Sequence, residues 1–216
     1  MYYNSVKRLM DISMSIFLIT LFSPIMFFTA MVIWISSPGP ALVEKANKHM
    51  KRIGKNGKIF RLYKFRSMPV NSDYLITKDP RFKKLYIEWK RSNFKLHNDP
   101  RVSKFGKFIR KYSIDEMPQL FNVLRGEMSI VGPRPYHADE IFEQQKRYKG
   151  TEKYVKETQT VKPGITGYWQ VTGRSNINFD KRIRMDADYA CRKSLLTDLF
   201  IIFRTPFAMI TGVGAV

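Results

Sequence analysis

Residues 12–35 read ISMSIFLITLFSPIMFFTAMVIWI, an uncharged apolar run that begins just after Lys7, Arg8 and Asp11. About 20 such residues cross the hydrocarbon core of a bilayer, so this segment enters lipid. A secretory leader also pairs a basic start with an apolar run. Here, however, the run is too long, and Ser36-Ser37-Pro38-Gly39-Pro40 offers no small-x-small cleavage site. Positive charge flanks the run on both sides, with Lys7 and Arg8 before it and Lys45, Lys48, Lys51, Arg52, Lys55 and Lys58 after it, which puts both ends on the cytoplasmic side. Ser23-Pro24 lies at its midpoint. Proline removes a backbone donor and clashes with the preceding turn, and a serine hydroxyl can bond the carbonyl so freed. A helix-break-helix that enters and leaves by one face, broken at Ser23 and Pro24, satisfies the charges and the proline together; a kinked spanning helix is the alternative.

Outward from that run, 216 residues at 44% hydrophobic make one ordinary domain with a core. The expected division is a re-entrant membrane helix over 1–40 and a compact cytoplasmic domain over 41–216. Lys and Arg number 38 against 18 Asp and Glu, and a net charge of +20 calls for polyanionic company such as anionic lipid, a nucleotide-like substrate or nucleic acid. Cys191 is the single cysteine, and His49, His97 and His137 are far apart, which argues against a thiol or histidine metal site and a Ser-His-Asp triad. A membrane-tethered nucleic-acid binder or a non-catalytic membrane scaffold would share this composition, but no standard recognition motif is present and nucleic acid is not expected as a partner.

The expected fold class is α+β, mainly helical. Asn56-Gly57 signals a short hairpin leading into Ile59–Phe65, where alternation turns Phe60, Leu62 and Phe65 inward and Arg61 and Lys64 outward. Leu85, Tyr86 and Trp89 mark a surface helix within 79–98. Val102, Phe105, Phe108 and Ile109 form a helical stripe beside Lys104, Lys107, Arg110 and Lys111, an amphipathic helix suited to anionic lipid. Towards the C-terminus come a Pro163-Gly164 turn, a glycine-spaced loop through Gly173 and a helix near 180–194. The apolar end over 195–210, interrupted by Asp198, Arg204 and Pro206, reads as interfacial or docked rather than as a second span.

Chemistry concentrates in 112–126, YSIDEMPQLFNVLRG, read as a helix starting at Asp115 and Glu116 and stopped by Gly126. Pro118 is tolerated only near a helix start, so the cap is placed at Asp115, where the helix dipole keeps a carboxylate ionised and helps hold phosphate. The bland reading is a capping box between Ser113 and Glu116. Against it stands Gly132-Pro133-Arg134-Pro135, which fixes one guanidinium between two prolines, apt for bidentate phosphate binding together with Arg110, Lys64 and Arg66.

Four stretches, Lys64–Met68, Ser113–Val123, Gly126–Pro135 and Lys162–Arg174, resemble in order the bacterial sugar transferases, the monotopic phosphoglycosyl transferases. The resemblance implies the catalytic unit of an enzyme that moves a sugar 1-phosphate from a UDP-sugar to undecaprenyl phosphate in surface-glycan synthesis at the bacterial inner membrane, with Mg2+. It implies Asp115 as nucleophile, Glu116 beside it as metal ligand or proton partner, and Lys64, Arg66, Arg110 and Arg134 on phosphates. Gly164, Thr166, Trp169, Gln170, Arg174 and Asp186 would line the nucleotide or sugar, with Trp169 serving either as an aromatic face or as core. A re-entrant helix broken at a Ser-Pro pair is part of the resemblance, and a homodimer is compatible with it. The connection through residues 43–50 departs from the family pattern.

Overall fold

The computed structural model describes residues 2–43, 50–70, 72–91, 96, 99–172 and 177–210. The architecture is mainly helical with two small sheets. Helix α1 (Tyr2–Ser36) is followed by the hairpin β1 (Lys51–Ile53) and β2 (Ile59–Arg61), then by α2 (Ser72–Lys78), α3 (Lys83–Arg91) and α4 (Lys104–Lys111). Next come α5 (Gln119–Leu124), β3 (Ser129–Val131), α6 (Ala138–Arg147), α7 (Glu152–Thr158), β4 (Gly164–Thr166), α8 (Tyr168–Thr172), α9 (Phe179–Arg192) and α10 (Leu195–Ile210).

Helix α1 continues through Ser23 and Pro24, with no loop between its two halves. Pro24 leaves the carbonyl of Thr20 without its helical donor, and Ser23 Oγ donates to that carbonyl at 2.9 Å. The serine thus repairs what the proline removes. It is the one helix among the described residues long and apolar enough to cross a membrane.

Both ends of α1 dock on the same body. Near its start, Arg8 donates to the carbonyls of Val123 and Leu124 at 2.6 and 2.7 Å, meeting carbonyls that the end of α5 leaves free. Asp11 accepts from Ser129 Oγ at 2.8 Å and from the Ile130 amide at 3.0 Å. Lys7 pairs with Asp11 and Asp198, both at 3.3 Å, and Tyr3 donates to Asp198. Near its end, Ile33 packs with Phe65 and Ile109, while Arg66 donates to the carbonyls of Ser37 and Pro38 at 2.8 and 2.9 Å. The buried positions Lys7, Asp11, Ser15, Thr29 and Ile33 recur at helical spacing along one face. Ile16, Phe17, Leu21, Phe27 and Phe28 lie exposed away from it.

The hairpin forms as expected. Lys51 pairs with Arg61 and Ile53 with Ile59, and Asn56 and Gly57 supply the positive φ angles, 56° and 74°, that the turn needs. Phe60, Leu62 and Phe65 are buried. Strands β3 and β4 pair in parallel, Ser129 with Gly164 and Val131 with Thr166. The approach is so close that a Cβ on Gly132 would lie 2.4 Å from the Lys162 carbonyl oxygen, and one on Gly164 2.1 Å from the Gly132 nitrogen. At both glycines, only the lack of a side chain lets the two backbones come this close.

Core side chains of α5, β3 and α10 (Leu120, Val123, Met128, Ile130, Val131, Ile201) pack with Met14, Leu18 and Ile19 of α1. Helix α4 is capped by Ser103 Oγ, which accepts the Gly106 amide at 2.8 Å, and it buries Ile109 while Phe108 stays exposed. Helix α10 holds Asp198 fully buried against Tyr189 and points Leu196, Phe200, Phe203 and Phe207 outward.

Candidate active site

Asp115 and Glu116 lie on a short 3-10 turn, Ile114–Glu116, and not on a helix start. Helix α5 begins only at Gln119, spans six residues and has Pro118 before it. Two expectations fall together. The helix dipole does not serve Asp115, and the Ser113 capping box does not form, because Ser113 sits in the left-handed region at φ 55° and its side chain makes no cap hydrogen bond. Proline is accommodated by starting the helix after it.

Lys64 replaces the dipole. Its ammonium lies 2.8 Å from Asp115 Oδ2 and 3.3 Å from Glu116 Oε1, so it is no solvated strand charge. Next in the chain, the Phe65 amide donates to the Asp115 carbonyl at 2.9 Å, which fixes one segment against the other. Asp115 is 2% exposed. Burial pushes its pKa up, Glu116 adds to that, and Lys64 and Arg110 oppose it without cancelling it. Burial also works against the Lys64 charge, but Asp115 and Glu116 outweigh it and hold the ammonium above its ordinary value. Arg110 Nε donates to Ser67 Oγ at 2.8 Å, and burial lowers its pKa. Arg66, expected on phosphate, has its terminal nitrogens committed to the exit of α1.

A second group of residues adjoins the dyad. Glu116 raises the pKa of both Lys64 and Arg110 on one side and of Arg134 and Arg52 on the other, and so stands between the groups. Arg134 hangs over the rings of Tyr136 and Trp169 at 6.0 and 5.9 Å, and Arg182 covers the same rings at 5.2 Å each. The Arg134 amide donates to Asp186 Oδ2 at 3.3 Å. Asp186 is fully enclosed, and burial pushes its pKa up to about 7 against the pull of the Arg134 amide, Arg182 and Arg134. Arg52 Nη1 meets His137 Nδ1 at 2.7 Å, and burial beside Arg134 brings its pKa down to about 9.

In this second group Arg134 Nε, Trp169 Nε1, Gln170 Oε1 and Arg182 Nε are buried without a hydrogen-bond partner, while the Tyr136 hydroxyl faces the Asp186 carboxylate and draws its pKa down. Buried polar atoms are nearly always partnered, and such a concentration marks where a polar ligand completes the set. Trp169 is therefore both core and aromatic face: its ring is buried, and its N–H is unspent. Gln170 keeps Oε1 free while Nε2 donates to the Ile165 carbonyl. Thr166 turns instead to Thr205 of α10 at 2.8 Å. Arg174 lies outside the described residues, as do Gly173, Ser175 and Asn176, the connection over 44–49, and His97.

Arg52, Tyr136, Glu140 and Arg182 were missed as site residues. A signal existed for Arg182 on α9, whose buried stripe is Phe179, Arg182, Ile183, Asp186, Ala187 and Ala190. Arginine and aspartate in core positions of a helix mark a polar interior. No such pattern flagged Glu140, which lies 3.6 Å from Arg182.

Among the described residues no group of three or more acidic, histidine or cysteine side chains is arranged to hold a metal ion. Asp115 and Glu116 share Lys64, so protein ligands alone do not make a metal cage. A site of one or two carboxylates completed by substrate phosphates is the ordinary arrangement for Mg2+, and the dyad fits that.

The family model described as bacterial sugar transferase matches residues 2–212. The chain belongs to this family. The sugar transferases it resembles include an uncharacterized member from Haemophilus influenzae, 42% identical over 213 residues, covering 97% of this chain and 42% of that protein. An undecaprenyl-phosphate galactose phosphotransferase from Salmonella typhimurium is 40% identical over 216 residues, covering 97% and 41%. The exopolysaccharide production protein ExoY of Sinorhizobium fredii is 38% identical over 202 residues, covering 92% and 83%. The chain thus spans about two-fifths of the first two transferases and most of the third.

Proposed function

We propose that this protein transfers a sugar 1-phosphate from a UDP-sugar to undecaprenyl phosphate, releasing UMP, by way of a phosphosugar ester on Asp115. The observation that carries the reading is Asp115 itself: a buried carboxylate paired with Lys64 and under the influence of Arg110, near a buried cluster of unspent polar atoms, on a body that grips an apolar helix at both ends.

An Asp115 carboxylate oxygen attacks the phosphorus that carries the sugar. The bond from that phosphorus to the UMP oxygen breaks, and UMP leaves with the electron pair. A phosphate oxygen of the lipid then attacks the same phosphorus, forming the diphosphate bond and returning Asp115 to a carboxylate. Splitting the transfer lets one site handle a water-borne donor and a lipid-borne acceptor in turn. An anionic nucleophile meeting a diphosphate requires fixed positive charge, which Lys64, Arg110 and Arg134 offer in a water-poor setting. Mg2+ bound by Asp115 and Glu116 would neutralise further phosphate charge. The raised pKa of Asp115 goes with a more basic carboxylate than an exposed one. Beside it, the buried cluster of Tyr136, Trp169, Gln170, Arg182 and Asp186 mixes donors and acceptors, which suits the sugar or nucleobase; phosphate, by contrast, only accepts.

Re-entry belongs to the same proposal. A helix of 35 residues is about 52 Å long. With its start tied to Val123, Leu124 and Ser129 and its end to Phe65 and Arg66, α1 has both termini on the cytoplasmic side and presents its exposed apolar face to the inner membrane.

Incubation with a panel of UDP-sugars, Mg2+ and undecaprenyl phosphate tests the reaction through UMP release, and labelled donor without acceptor tests for sugar phosphate retained on the protein. Asp115→Asn should abolish both signals. Undiminished UMP release from that variant rejects Asp115 as nucleophile. Tags at the two ends of α1 that report opposite sides of the membrane reject re-entry.

A further inference from the structure

Away from the dyad, the β1–β2 hairpin and the turn after α5 enclose a concavity of about 320 Å3 that neither Asp115 nor Arg134 lines. Lys51, Arg61 and Arg125 supply its cations and Glu127 its acid. Lys51 and Arg61 are direct cross-strand partners, and like charges set opposite one another destabilise a hairpin. Arg125 meets Glu127 only at the long end of an ion pair, while its guanidinium donates to the Tyr63 hydroxyl and lies over the Tyr63 ring at 5.7 Å. Glu127 is committed elsewhere, with Oε2 accepting from Asn122 Nδ2 at 2.7 Å and Oε1 standing 3.9 Å from Arg125 Nε. Three cations therefore converge on a concave wall with one partly spent carboxylate among them.

We infer that this concavity is a second anion site and that it takes a phosphate group. Two arginines with in-plane donors and a lysine as a point charge match a tetrahedral oxyanion better than a planar carboxylate. A bound phosphate also removes the repulsion between Lys51 and Arg61, which otherwise stays uncompensated. Two sources carry that chemistry. One is a soluble phosphomonoester. The other is an anionic phospholipid headgroup, for which Phe121, exposed one turn before Arg125, supplies an apolar neighbour.

The test uses the full chain in neutral detergent micelles, with inorganic phosphate titrated while the melting temperature is followed. Wild type is compared with the Lys51→Gln/Arg61→Gln double variant, each also in an Arg134→Gln background that weakens phosphate binding beside the dyad. Relief of repulsion leaves the double variant at least as stable as wild type without phosphate. The phosphate-dependent rise of a few degrees is then smaller in the double variant in both backgrounds. Arg125→Gln, which leaves the hairpin intact, repeats the comparison should the double variant melt early. Equal rises in variant and wild type overturn the site. Flotation with phosphatidylcholine vesicles, with and without phosphatidylglycerol, separates the sources: a gain on the anionic vesicles that the variants lose identifies a headgroup, and a phosphate response without that gain identifies a soluble ligand.

Discussion

The ammonium of Lys64 stands 2.8 Å from Asp115 Oδ2, and Asp115 has almost no contact with solvent. In Lys64→Met the carboxylate keeps its burial and loses its nearest cation, so its pKa climbs further. The acid limb of the pH profile for UMP release should move to higher pH, with kcat lowered roughly 100-fold, as when one charge-stabilising donor is removed. An acid limb that stays in place contradicts the pairing.

Asp186 carries a pH signature in stability. Its pKa is about 7 in the folded chain against an ordinary 3.8, so between those values the native state holds a proton that the unfolded chain has released. Stability from this group is full at the acid end of that window and declines as pH rises through about 7. Melting temperature measured across the window should fall with rising pH, and Asp186→Asn should flatten that slope.

The anchoring of α1 turns on Asp11, which serves Ser129, the Ile130 amide and Lys7 together. Asp11→Ala strands a buried amide and leaves Lys7 with Asp198 alone, at a cost of about 3–5 kcal/mol as for a broken buried pair. Denaturant titration in micelles reads this directly. In the Lys7→Met/Asp11→Ala double variant the loss should be less than the sum of the single losses.

Gly106 sets how closely α4 approaches the segment that carries Lys64. A Cβ there would lie 2.2 Å from the Ser67 carbonyl oxygen, a backbone atom with little room to yield. Gly106→Ala should lower stability by about 1–3 kcal/mol, the usual range for overpacking, and depress UMP release as Arg110 and Lys64 shift. Wild-type melting and activity in this variant would show that the approach relaxes at no cost.

How much of the site could be read in advance depends on where each signal lies. Asp115, Glu116 and Arg134 stand in short, unusual strings, and the structure brings them into one neighbourhood through Glu116. Arg66 is a basic residue two positions from Lys64 whose terminal nitrogens meet the carbonyls of Pro38 and Ser37, 28 and 29 residues back in the chain, a pairing that no local pattern announces. Arg182 lies on the buried stripe of α9, where its charge is legible as a polar interior, whereas Glu140 has no such signal and only its neighbour Arg182, itself over the Tyr136 and Trp169 rings, gives it a reason to be there.

The sequence by itself determined that one segment is long and apolar enough to cross a membrane, that a hairpin turns at Asn56-Gly57, that Phe60, Leu62 and Phe65 face inward, and that helices run over the stretches now seen as α4 and α9. Each of these rests on local composition or periodicity, which a chain carries wherever it folds. Tertiary structure alone decided that Asp115 faces Lys64 on a 3-10 turn in place of a helix dipole. It alone also decided that both ends of α1 grip one body. These outcomes depend on hydrogen bonds and charge pairs between residues up to 195 positions apart, as with Tyr3 and Asp198, and no local pattern encodes which distant partner a polar group will find.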